Sequence, residues 1–344
     1  MDTQDVAELC FPQLFNTSCK KPAIPRSIVM FSYIVLSSIS FLTVALNLLV
    51  IISVSHYRQL HTSTNILLLS LAVSDFLVGV LVIPGEILRN TACWTVGQLT
   101  CLLYIFVSLI LTSASVGIMV LISVERYVAI CDPLHYPTRI THRRVKLCVC
   151  LCWLCSIAFS CLLVRDDLHQ KSRHNSCIGE YDLHQKSRHN SCIGECIFQV
   201  DFIVGVFDLI LTFIVPVSSI VVLYLRVFAV VLSHARAMRS HVTAVTLQQS
   251  VTLTAKKSQM KAARTLGVLI VVFLLCFCPY YCVSLIGDDF LNGSSAAIVI
   301  YVFYFNSCIN PVIYAMFYFW FRKAVKHIVT LQILRSGSSE VNIL

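Results

Sequence analysis

Seven apolar stretches divide the chain, at about 28–54, 63–88, 98–126, 145–164, 197–232, 261–287 and 295–318. Each reaches or exceeds the roughly 20 residues that an α-helix needs to cross a bilayer. An open strand edge in hydrocarbon leaves backbone groups unpaired, so all seven are predicted as helices. Hydrophobic residues make up 57% of the chain and charged residues 12%, about half the soluble share of roughly 25%. Mean hydropathy is +0.81. So few charges cannot cover a soluble surface, which excludes a soluble enzyme, a nucleic-acid binder and a secreted disulfide scaffold. The expected fold class is an all-α membrane protein, a seven-transmembrane helix bundle over 28–318. Residues 1–27 read as an N-terminal segment without an apolar run of signal-peptide type. Residues 319–344 read as a short amphipathic eighth helix and a tail.

The net charge of +9 is a topology signal. Seventeen of the 26 Lys and Arg fall in the first, third and fifth connections and the C-terminal tail, counting Arg126 and Arg226 at the helix ends. By the positive-inside bias that side is cytoplasmic. The N-terminus is then extracellular, the C-terminus cytoplasmic, and the chain multi-pass in the plasma membrane, with lipid and no nucleic acid as partner. The sequons at Asn16 and Asn292 both fall on the outer face and are candidate glycosylation sites.

The second outer loop holds an exact repeat. Asp167–Glu180 reads DLHQKSRHNSCIGE, and Asp182–Glu195 repeats it unchanged after Tyr181. Repeat architectures need several units, so two copies in one loop read as a recent tandem duplication or a fault in the gene model.

Ionisable groups within spans are costly and mark function by default. Asp75 and Asp208 are deep in the second and fifth spans, and Glu125 with Arg126 closes the third. Glu86 and Asp201 lie toward the outer rim and read as solvated acids before they read as part of a ligand site.

The motifs now form an ordered set. Asn47, Leu71–Asp75 (LAVSD), Glu125-Arg126-Tyr127, Trp153, Pro216 with Tyr224, Cys276–Pro279 (CFCP) and Asn310-Pro311-Val312-Ile313-Tyr314 follow one another across the seven spans. Together they resemble the rhodopsin-like (class A) G-protein-coupled receptors over roughly residues 28–330. Within that class, NSCINPVIYAMFYFWF at 306–321 and SHYRQLHTSTN at 55–65 resemble the trace amine-associated receptors. The resemblance implies a receptor for amines, in most members olfactory, that acts through a stimulatory G protein and catalyses no reaction.

The family's amine counter-ion is an aspartate on the third span, and here that position is Ser108. Asp208, eight residues before Pro216, is level with the family's ligand pocket and shares a helix face with Thr212. A carboxylate in a low-dielectric pocket forms a charge-assisted hydrogen bond with an ammonium, and aromatic faces attract the same cation. By the same resemblance, Asp208, Ser108, Thr112, Thr212, Tyr280, Tyr281 and Tyr304 are the expected ligand-binding residues.

The resemblance further implies a bridge between Cys101 and Cys196, and one between Cys192 and the N-terminal segment through Cys10 or Cys19, with duplicated Cys177 leaving the partner open. Cys276 and Cys278, two apart on a helix, point to different faces and do not read as a metal site. In activation the sixth helix pivots near Pro279, where the ladder lacks a donor. Arg126, paired with Glu125 at rest, is freed for the G protein together with Tyr127, Tyr224 and Tyr314. Phe277 replaces the tryptophan usual at the pocket base, and Asn310-Pro311 forms part of the same machinery. Asp75, Ser115, Asn306 and Asn310 resemble the class's sodium site, with oxygen ligands suited to a hard cation; no other cofactor is expected. The alternatives are a general biogenic-amine receptor, opposed by Ser108 and the seventh-span signature, and an ion-coupled transporter, which would show repeats of its spans.

Overall fold

A computed structural model describes residues 10–13, 18, 26–91, 93–176, 194, 196–198, 200–240, 267–283, 293–335, 337–341 and 343. Six helices among them are long and apolar enough to cross a membrane, and a shorter apolar helix, Gly267–Val283, lies in the sixth predicted span. In chain order these are α1 (Arg26–His56), α2 (Ser63–Arg89), α3 (Gln98–Cys131), α4 (His142–Ser176), α5 (Phe202–Ser233), α6 (Gly267–Val283) and α7 (Gly293–Phe317). The amphipathic α8 follows at Phe319–Val329.

Burial sorts the helices into centre and rim. The apolar stretch of α2 is 61% buried and that of α3 44%, against 22% in α1 and α4 and 6% in α5. The apolar side chains left outside, such as Phe31, Phe41, Leu154, Leu211 and Leu225, belong against lipid. Burial in lipid supplies little drive for helices to associate, so interhelical hydrogen bonds fix which faces meet. Asn47 Nδ2 on α1 donates to the Ser307 carbonyl on α7 at 2.9 Å. Trp153 Nε1 on α4 donates to Ser70 Oγ on α2 at 3.0 Å. At its inner end α2 starts with Thr62 as cap, whose hydroxyl accepts from the Asn65 amide at 3.2 Å.

Two helices carry a widened π turn, at Val78–Val82 in α2 and Ile210–Ile214 in α5. Each is centred four residues before a proline, on Val80 before Pro84 and on Thr212 before Pro216. A proline lacks the amide proton and its ring collides with the carbonyl four residues back. The wider turn moves that carbonyl aside and keeps the helix continuous.

At the inner end α8 buries Trp320, Phe321 and Ala324, one stripe of an amphipathic helix. The fourth helix runs beyond its expected end: α4 continues to Ser176, so the first ten residues of the first repeat copy are helical rather than loop. The rest of the duplication, apart from Gly194, lies outside the described residues, as do Asn16 and Asn292.

Candidate functional site

The outer halves of α3, α5, α6 and α7 surround a cavity of about 790 Å³. Ser108 and Thr112 of α3, Asp208 and Thr212 of α5, Tyr280 and Tyr281 of α6, and Tyr304 of α7 all line it. The structure thus brings all seven expected ligand-binding residues to one space. Arg89 from the end of α2 and Cys196, Ile197 and Phe198 from the second outer loop complete that wall.

Asp208 is half-buried, and no lysine or arginine among the described residues pairs with it. The Thr212 hydroxyl donates to the Asp208 main-chain carbonyl at 2.7 Å, holding the helix together just at its π turn. Across the cavity Ser108 spends its one proton inside its own helix, on the Tyr104 carbonyl at 2.8 Å. The α3 position therefore offers neither charge nor a spare donor. Phe213 stacks on Tyr281 with ring centroids 4.4 Å apart, and Tyr280 lies tilted on Phe303 at 4.8 Å, so aromatic faces stand beside the carboxylate.

Glu86 is not a solvated acid at the rim. It is 3% exposed, and Arg89 Nη2 donates to its Oε1 at 2.6 Å while Arg89 Nε reaches Oε2 at 3.3 Å. The phenols of Tyr104 and Tyr304 also donate to Oε2, the latter at 3.1 Å. A buried charge needs a counter-charge and filled lone pairs, and here α2, α3 and α7 supply both. Gly85 permits the approach, because a methyl at that position would overlap the Tyr104 ring. The Glu86–Arg89 pair was available in the sequence as an acid three residues before a base on one helix face. Asp201, by contrast, stays partly exposed at the rim, where its Oδ2 caps α5 by accepting from the Ile203 amide at 3.1 Å.

Among the described residues, two disulfides tie the outer end. Cys101 at the start of α3 is bonded to Cys196, as the resemblance implied. Cys10 is bonded to Cys93, which removes Cys10 as a partner for Cys192. Cys93 carries no sequence pattern that would have singled it out; Cys19 and Cys192 lie outside the described residues. Gly194, at φ +112°, packs against Cys10, and its carbonyl accepts from the Trp94 amide at 2.9 Å.

At the inner end, Arg126 Nε lies 2.8 Å from Glu125 Oε2, an ionic contact without hydrogen-bond alignment. Thr64 of α2 clamps the pair: its hydroxyl donates to Glu125 Oε1 at 2.9 Å and accepts from Arg126 Nη2. Tyr136, in the helical turn after α3, donates to the same Oε1 at 2.6 Å. Burial, reinforced by that carboxylate, pushes the Tyr136 phenol up to about 12. Tyr127 is half-buried beside Arg126 in sequence. The buried hydroxyls of Tyr224 and Tyr314 have no hydrogen-bond partner among the described residues.

A profile of the 7 transmembrane receptor (rhodopsin family) matches residues 46–314. Trace amine-associated receptor 13c of Danio rerio is 35% identical over 344 residues, 98% of this chain and 97% of its own length. This chain belongs to the trace amine-associated receptors. Trace amine-associated receptor 4 of Mus musculus, at 35% identity over 96% of this chain and 94% of its own, and trace amine-associated receptor 6 of Homo sapiens, at 34% over 98% and 95%, are similar to it along the same length. It is accordingly a G-protein-coupled receptor of the rhodopsin family, multi-pass in a membrane, and not an enzyme or a transporter.

Below the cavity this trace amine-associated receptor carries an aromatic column on α6. Phe277 stacks on Phe273 with centroids 4.3 Å apart and leans on the cavity-lining Phe303 of α7 at 4.8 Å. Pro279 sits two residues before Tyr281 and three after Cys276. Cys276 and Cys278 join no cluster of metal-ligating residues among the described residues. Deeper still, Asp75 is fully buried and its Oδ2 accepts from Asn310 Nδ2 at 2.8 Å, just before Pro311 within α7. Its Oδ1, with Asn306 Oδ1 and Asn47 Oδ1, has no hydrogen-bond partner among the described residues. Ser115 bonds instead to Ser74, oxygen to oxygen at 2.8 Å.

Proposed function

We propose that this receptor senses amines at the cell surface through Asp208 and signals through a stimulatory G protein, in an olfactory setting. The observation that carries the reading is the cavity-lining Asp208, without a basic partner among the described residues, opposite the uncharged Ser108. An ammonium entering the cavity replaces water around that carboxylate with a charge-assisted hydrogen bond, and the Tyr280 and Tyr281 faces add cation–π attraction.

The agonist acts by binding one arrangement of the bundle better than the other. A ligand drawn between α5 and α6 pulls on Tyr281 and Phe277, next to the weak point at Pro279. Outward swing of the inner end of α6 opens room for the G protein, Arg126 leaves Glu125 and Thr64, and the Tyr224 and Tyr314 hydroxyls gain partners. The N-terminus outside and the basic connections inside suit this direction of signalling.

A sodium ion fits the middle of the bundle. Asp75 and Asn306 each offer a buried oxygen acceptor without a donor among the described residues, and acceptor-only oxygens favour a hard cation. Bound there, it would neutralise the Asp75 charge and hold α2 to α7 at rest. Sodium should therefore weaken agonist binding, and Asp75→Asn should remove that dependence.

The amine anchor is tested by Asp208→Asn. Removing one partner of a buried charge pair costs about 2–5 kcal/mol, so amine potency in a cAMP assay should fall roughly 30- to 3,000-fold. Surface receptor is measured in parallel. Normal surface level with unchanged amine potency would refute the assignment, and Ser108→Ala should change potency far less.

A further inference from the structure

One ionic group of the cavity has no part in holding a simple amine: Arg89. Its side chain is 36% exposed and lines the same cavity as Asp208. Glu86 occupies the Nε–Nη2 edge of the guanidinium, through the bonds at 3.3 and 2.6 Å. Nη1 makes no hydrogen bond among the described residues, so the Nη1–Nη2 edge keeps donors to spare. That edge is the planar fork that matches a carboxylate with two parallel hydrogen bonds.

The environment of Glu86 fixes the sign of what can bind there. Its oxygens already accept from Arg89, Tyr104 and Tyr304, so it has little to give a second ammonium. Such an ammonium would also meet the Arg89 charge. A cavity with an unpaired anion on α5 and a cation with open donors at the end of α2 is complementary to a ligand of two opposite charges.

Resting on the amine reading of Asp208, we infer that the preferred ligand is a zwitterionic amine, its ammonium on Asp208 and its carboxylate on the open edge of Arg89. Diamines are disfavoured by the same arrangement. The purely structural alternative, in which Arg89 serves only to neutralise Glu86, leaves the carboxylate of a ligand without any effect on affinity.

The probes are a homologous series of ω-amino acids, the n-alkylamines of matched length and the corresponding α,ω-diamines. Binding is read as ligand-dependent thermal stabilisation of the purified full-length receptor, which needs no assumption about G-protein coupling. At the best chain length the ω-amino acid should bind about 10- to 100-fold tighter than the alkylamine, the range of a charge-assisted pair. The double variant Glu86→Gln/Arg89→Gln removes both charges together and should bring that ratio to about one. Arg89→Lys keeps the charge and loses the fork, so its ratio should fall between; it carries the test if the double variant fails to fold. Asp208→Asn should weaken both series. Alkylamine binding that depends on Asp208 with no carboxylate advantage at any length, or an advantage that survives both Arg89 variants, overturns this inference alone. Binding of neither series, or indifference of both to Asp208→Asn, overturns the amine reading with it.

Discussion

The phenol of Tyr304 on α7 donates to the Glu86 carboxylate on α2 at 3.1 Å, joining residues 218 apart in the chain. Tyr304→Phe keeps the ring in the cavity wall and removes only this donor. A hydrogen bond to a buried charged group is worth about 1.5–3 kcal/mol, so the purified receptor should melt roughly 2–10 °C lower. An unchanged melting temperature would show that the carboxylate does not depend on α7.

Gly85→Ala tests the same cluster from the other side. The added methyl overlaps the Tyr104 ring, which must leave Glu86 or push α3 away from α2. Overpacking of this kind costs about 1–3 kcal/mol. Lower surface level and a lower melting point are expected, with partial recovery in Gly85→Ala/Tyr104→Leu, where a smaller side chain makes room. Failure of the second change to recover anything would place the clash elsewhere.

The inner clamp is expected to set resting activity. Tyr136→Phe removes one of the two hydroxyl donors to Glu125 Oε1, and loss of a charge-assisted bond of about 1.5 kcal/mol shifts the resting equilibrium about tenfold. Agonist-independent cAMP should rise, and Thr64→Val, which also frees Arg126, should raise it further. Because the Tyr136 phenol is pushed up to about 12, it stays protonated and keeps donating across the physiological range. The difference between Tyr136→Phe and the parent should accordingly be the same at pH 6 and pH 8.

The bond from Cys10 to Cys93 predicts a pattern rather than a size. Cys10→Ser, Cys93→Ser and the double variant should lose surface level and potency equally, since either single change breaks the whole bridge. A native disulfide is typically worth about 2–5 kcal/mol. A double variant clearly worse than both singles would mean that the two cysteines act separately.

Deleting Tyr181–Glu195 leaves Cys177-Ile178-Gly179-Glu180 followed by Cys196 and so restores a single SCIGEC. The deletion also returns a glycine to the place of Gly194, whose φ of +112° and contact with Cys10 admit no side chain. A functional receptor is expected. Normal surface level with loss of ligand response would show that the second copy has a role.

How far the sequence carried the site can be read from single residues. Asp208 and its six companions were placed by the resemblance to the family's pocket positions, with span depth separating Asp208 from the deeper Asp75 and the rim acids. Glu86 was misplaced because depth alone says nothing of what the neighbouring helices lay over it. Tyr104 and Tyr304 come from α3 and α7, and their meeting on one carboxylate is a tertiary fact. The π turns left only a partial signal that was not read: a proline at 84 and at 216 disturbs the ladder without saying whether the helix kinks or widens. Cys93 was invisible, since a loop cysteine has no periodicity and its partner lies 83 residues away.

The two widened turns also divide α2 and α5 into an inner shaft and an outer head. Glu86 and Arg89 lie on the head beyond Val78–Val82, and Asp208 lies on the head beyond Ile210–Ile214. A π turn amounts to one extra residue in an α-helix, and one residue of α-helix is about 100° of rotation. Loss of a single codon within either turn would therefore re-aim a charged group by more than a quarter of a circle, while Asp75 and Tyr224 on the shafts stayed where they are. A change of ligand preference can thus come from the length of a helix, with every pocket side chain unaltered.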